Sequence, residues 1–101
     1  RDYVFVDDVV DAFVRSVERG GGLTCNVGTG VETTVLEVHD SVARAVGATA
    51  TPIHAAERSG ELARICLDPG RAAMQLGWQP WTTFDAGVAQ TVDWFREKRA
   101  Q

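Results

Sequence analysis

Val9, Val10, Phe13, Val14 and Val17 recur at the spacing of a single helix face, and Gly20, Gly21 and Gly22 follow them. That pattern dictates a helix, because apolar side chains three and four apart share one stripe and glycine readily takes the left-handed conformation that ends it. The device recurs along the chain. Thr34 and Glu37 have capping-box spacing, in which each side chain meets the other's backbone N–H. They open a helix with Val35, Val38, Val42 and Val46 on one face and Gly47 at its end. Asp68-Pro69 supplies a cap followed by proline at the first helical position, for a short helix through Ala72, Ala73 and Leu76 to Gly77. Thr82 or Thr83 caps a last helix whose stripe is Phe84, Val88, Val92 and Phe95. Arg96, Lys98 and Arg99 sit in its final turns, where positive charge suits the macrodipole.

Short β-branched and aromatic runs lie between these helices. Residues 3–6, 23–28 and 51–56 read as strands, the last with Pro52 tolerable near its start. Asp7 and Asp8 then cap the first helix, and residues 57–66 show no clean period. The expected order is β-α-β-α-β-α-α. It predicts an α/β fold, a small two- or three-layer piece with a short, mostly parallel sheet. Three short strands stand alone only marginally, which points to a piece that leans on something larger.

At 101 residues there is room for one domain and a modest core. The net charge of −4 is spread along the chain, and the lack of a basic stripe argues against a nucleic-acid partner. No apolar run is long enough to span a membrane. Cys25 and Cys66 make neither a disulfide framework nor a zinc site and are expected to be small buried apolar residues. The expected compartment is the cytoplasm. The chain opens directly in the strand-like run Arg1-Asp2-Tyr3-Val4, without a leader, and is expected to be a fragment of a longer protein.

No nucleophile–base set or metal-ligand spacing is present, and His39 and His54 fall singly in a helix and a strand. Asp7-Asp8 and the pair Glu57 and Glu61 invite an acid/base reading, but Asp7-Asp8 is better explained as a helix start. Gly28-Thr29-Gly30 sits between a strand and a helix, as a phosphate loop would. Thr33 stands where a dinucleotide fingerprint wants glycine, so a tight turn is the simpler reading. Arg58, in the glycine-bearing stretch Glu57-Arg58-Ser59-Gly60-Glu61, could turn its planar fork toward the paired oxygens of a diphosphate. On spacing alone, a solvated surface arginine is the favoured reading.

Together these segments carry a resemblance. Arg1-Asp2-Tyr3-Val4-Phe5-Val6-Asp7-Asp8, Asn26-Val27-Gly28-Thr29-Gly30, Arg58-Ser59-Gly60-Glu61, Leu76-Gly77-Trp78-Gln79-Pro80 and Thr91-Val92-Asp93-Trp94-Phe95 occur in this order over nearly the whole chain. The set closely resembles the C-terminal part of extended short-chain dehydrogenase/reductases, nearest to the UDP-glucose 4-epimerases and their nucleotide-sugar epimerase and dehydratase relatives. The resemblance implies that residues 1–101 are the substrate-binding part of an extended Rossmann-type enzyme whose NAD-binding domain lies elsewhere. It implies that Arg1 and Arg58 clamp the diphosphate of a UDP-sugar and that Glu61 contacts the nucleotide's ribose. It assigns no catalytic residue here, because the NAD fingerprint and the Tyr-x-x-x-Lys pair lie upstream, and NAD is not expected to bind this chain. The first helix would pack on the cofactor domain and, uncovered, would favour a homo-oligomer. The other expectation is a non-enzymatic module that binds nucleotide-sugars.

Overall fold

The computed structural model describes residues 1–100. Among these residues, four helices form where the stripes lie: α1 (Val6–Ser16), α2 (Val35–Val46), α3 (Gly70–Leu76) and α4 (Phe84–Ala100). The capping chemistry explains most of their ends. Thr34 accepts the N–H of Glu37, and Gly47 closes α2 in the left-handed region at φ +77°. The Asp68 carboxylate accepts the N–H of Gly70 at 2.9 Å, but α3 starts one residue later than expected, with Pro69 at the cap position and Gly70 as the first helical residue. The Thr83 hydroxyl accepts the N–H of Ala86 at the start of α4. α1 departs from expectation: it begins at Val6, before the aspartates, and Phe5 precedes it with no side-chain cap.

The α/β expectation is overturned. Among the described residues there is no strand and no sheet, so neither the mostly parallel sheet nor the β-α-β-α-β-α-α order exists. Residues 3–5, 23–28 and 51–56 run as irregular segments without ladder partners. A β-branched pattern reports that a segment suits a pleated, half-buried surface; it does not supply the neighbour whose N–H and C=O groups make a strand. The nearest approach to a ladder is the pair Arg1 and Thr33, which exchange both backbone bonds at 2.8 and 2.9 Å.

α3 packs on α1, and α4 on α2. In the first pair, Ala12, Ala72, Leu76 and Trp78 are buried together, with Val4, Cys25 and Val27 against them. Trp78 is fully buried, and its indole N–H donates to the Asp8 carbonyl at 2.7 Å. The Asp8 side chain is equally buried, and its carboxylate accepts the N–H groups of Trp81 and Thr82 and the Thr82 hydroxyl at 2.9–3.1 Å. One aspartate thus ties α1 to the segment that leads into α4. In the second pair the Ser41 hydroxyl donates to Asp85 at 2.6 Å, while Tyr3 and Phe5 lie against α4. Gly87 permits that approach, since a Cβ there would sit 3.0 Å from the Phe5 ring. An apolar groove of about 330 Å³ runs between the two helices, lined by Val38, Val42, Phe84, Val88 and Phe95 among others.

The molecule is flat, measuring 46 × 38 × 19 Å with a radius of gyration of 16.2 Å, where a compact chain of this length measures about 13 Å. It exposes 7776 Å², against about 5,600 Å² expected for a folded monomer of this mass. Much of the surplus is apolar. The inward face of α1 is Asp8 and Ala12, while Phe13, Val14 and Val17 of the predicted stripe are 69%, 64% and 83% exposed. Cys66 is also exposed, contrary to expectation, whereas Cys25 is half-buried; both thiols are free.

Candidate diphosphate site

Asp2 organises the N-terminal edge. Its two carboxylate oxygens accept the Thr29 N–H at 2.9 and 3.1 Å and the Thr29 hydroxyl at 2.6 Å. They also accept the N–H groups of Gly30 at 2.9 Å and Leu67 at 3.2 Å. Burial pushes this carboxyl up, but the bonds from Thr29, Gly30 and Leu67 outweigh it and hold the group below the ordinary aspartate value. Gly28 has to be glycine here, because a Cβ would stand 2.9 Å from an Asp2 oxygen and from two Leu67 carbons. The Thr29 and Gly30 N–H groups are therefore spent on Asp2. Gly28-Thr29-Gly30 is a turn closed by a side chain and offers no free cradle to a phosphate or a dinucleotide.

Arg1 lies beside this clip. Its backbone pairs with Thr33, and its Nη1 donates to the Leu62 carbonyl at 2.6 Å. That bond brings the guanidinium to the exit of the stretch that holds Arg58 and Glu61. The stretch closes on itself through the Glu61 N–H and the Arg58 carbonyl at 3.3 Å, with Gly60 at φ +85° in the turn. Both Arg58 and Glu61 are exposed. Arg64 is committed differently: its Nε and Nη2 grip the two Glu32 oxygens at 3.0 and 2.5 Å. The pairing lowers the Glu32 pKa and raises that of Arg64.

The fold thus joins Arg1 to the end of the 58–62 loop and leaves the Arg58 side chain in solvent. Such an edge can present guanidinium N–H donors to an anion with paired oxygens. Two residues central to this architecture escape a reading by spacing. Asp2 is one; its only sequence signal is an acid beside a run whose glycine turn has N–H groups to satisfy. Asp8 is the other, read as a helix start although it stands one helical turn before the buried Ala12. His39 lies in α2 as expected, near Asp40 at 3.3 Å, while His54 sits in an exposed irregular segment rather than a strand.

Comparison with known proteins identifies the architecture. The family model described as GDP-mannose 4,6 dehydratase matches residues 1–91. UDP-glucose 4-epimerase of Mycolicibacterium smegmatis is 54% identical over 97% of this chain, which covers 32% of that protein. dTDP-glucose 4,6-dehydratase of Salmonella typhimurium is 31% identical over 94% of the chain and 29% of its own length. The crystal structure of UDP-glucose 4-epimerase from Thermotoga maritima with UDP-glucose superposes with a TM-score of 0.94 at 36% identity, again over 97% of this chain and 32% of that one. The chain spans about a third of the length of these relatives and belongs to the GDP-mannose 4,6-dehydratase family, within the extended short-chain dehydrogenase/reductases that include nucleotide-sugar epimerases and dehydratases.

Proposed function

We propose that residues 1–101 form the substrate-side part of an NAD-dependent nucleotide-sugar epimerase of the UDP-glucose 4-epimerase type. In this reading Arg1 and Arg58 hold the diphosphate of a UDP-sugar and Glu61 faces the ribose. The observation that carries it is the bond from Arg1 to the Leu62 carbonyl, which docks one guanidinium at the mouth of the loop that bears the other two residues. A neighbour of 0.94 TM-score that holds UDP-glucose supports the ligand class. NAD does not fit the residues present, since the one glycine turn that resembles a phosphate loop has its N–H groups taken by Asp2. We assign the cofactor, the catalytic residues and the hydride chemistry to a part of the parent protein outside this sequence, and the parent to the cytoplasm.

Titration of the chain with UDP-glucose in a calorimeter tests this. A charge-assisted bond is worth roughly 1.5–3 kcal/mol, so Arg58→Ala and Arg1→Ala should each weaken binding about ten- to a hundredfold. Unchanged affinity in both variants overturns the reading.

The exposed stripe of α1 favours a second reading, in which this face is covered by another protein surface and pairs with a second copy when uncovered. Sedimentation equilibrium should show concentration-dependent dimers that Phe13→Glu dissolves. A strictly monomeric chain overturns it.

A further inference from the structure

We propose that Asp2 is a positioning residue for the diphosphate site, acting through Arg1 and not on the ligand; this rests on the assignment of Arg1 to the diphosphate. The carboxylate gathers three separate stretches of chain. Its own residue follows Arg1, its Thr29 and Gly30 partners lie just before the Thr33 that pairs with the Arg1 backbone, and its Leu67 partner follows the Leu62 carbonyl that holds the Arg1 guanidinium. Both stretches that hold Arg1 are therefore bonded by Asp2 close by, three residues before Thr33 and five residues after Leu62, and the Arg64–Glu32 pair links the same two stretches. The clip is tight, as the 2.9 Å clearances around Gly28 show.

An arginine is rich in rotamers, and one already docked loses less freedom when it meets its ligand. Holding Arg1 in register is accordingly a contribution to affinity that involves no contact between Asp2 and the ligand.

The sign of the effect separates this role from plain electrostatics. A carboxylate near a diphosphate repels it, so neutralising Asp2 would strengthen binding if charge alone mattered. Positioning demands the opposite. Asn at this place keeps the shape but turns an N–H toward donors that need an acceptor, which loosens the clip.

The experiment is a double-mutant cycle on the full 101-residue chain, read as UDP-glucose affinity by calorimetry at fixed ionic strength, with helix content followed by circular dichroism. Asp2→Asn is expected to weaken binding roughly three- to tenfold, the worth of one immobilised long side chain, and to have no effect in an Arg1→Ala background. Equal or tighter binding by Asp2→Asn overturns the proposal. So does the same loss with and without Arg1, which marks a general structural role. In either case a loss of affinity in Arg1→Ala and Arg58→Ala leaves the diphosphate reading standing. If both arginine variants bind like the parent, that reading fails first and this proposal falls with it. Should Asp2→Asn lose helix content, Thr29→Val takes its place in the cycle, since it removes the 2.6 Å donor and leaves the carboxylate, and the same outcomes apply.

Discussion

Replacing Asp8 by alanine should come close to unfolding the chain. The side chain is fully buried and accepts three hydrogen bonds, from the Trp81 N–H at 3.1 Å, the Thr82 N–H at 3.0 Å and the Thr82 hydroxyl at 2.9 Å. The hydroxyl can turn to another acceptor, but the two backbone donors cannot. Each buried donor left unsatisfied costs about 1–3 kcal/mol, so losing the partner of both should cost about 2–6 kcal/mol. A chain of this length has roughly 5–15 kcal/mol of stability, and a flat one with a small core stands at the low end. The competing view treats Asp8 as a first-turn acid that complements the helix dipole, worth about 0.3–1 kcal/mol. Urea unfolding followed by circular dichroism at 222 nm separates the two. A midpoint shift equivalent to less than about 1 kcal/mol would refute the claim that Asp8 is the link between α1 and the approach to α4.

Other substitutions test the remaining contacts. Trp78→Phe removes the indole N–H bond to Asp8 and part of a fully buried ring, and should lower unfolding stability by about 1–3 kcal/mol. Gly28→Ala pushes a methyl into Asp2 and Leu67 and should cost about 1–3 kcal/mol. Gly87→Ala is the contrast: its contact with the Phe5 ring is milder, and gaining alanine in a helix returns about 1 kcal/mol, so the net change in melting stability should be small. The folded pKa of Asp2 lies below its unfolded value. Its contribution is thus fully present above about pH 4 and is lost as pH falls through the folded value. Urea midpoints measured from neutral to acid pH should fall less steeply in Asp2→Asn than in the parent chain.

The helices were legible because their information is local. Thr34, Gly47, Asp68 and Thr83 act at or next to the ends they punctuate, and those bonds need only neighbours in sequence. The strands were not, because a strand is defined by its partner, and residues 23–28 and 51–56 carry a strand's side-chain pattern without one. The apolar stripe lies along α1 and its C-cap, yet it faces away from the core, which Asp8 and Ala12 meet instead. For the proposed site, the motifs single out Arg1, Arg58 and Glu61, whereas the carboxylate that ties the Arg1 end of the chain to residues 29–30 and 67 depends on contacts across most of the chain. Long-range satisfaction of backbone N–H groups leaves no periodic trace in sequence.

The central claim is that this edge grips the diphosphate through Arg1 and Arg58. Phosphorus NMR of UDP-glucose reports on those atoms directly. Both phosphorus resonances should shift and broaden when the chain is added and return to their free positions with the Arg1→Ala, Arg58→Ala double variant. Perturbation that is the same with the double variant, or confined to the uracil and sugar protons, would contradict the account.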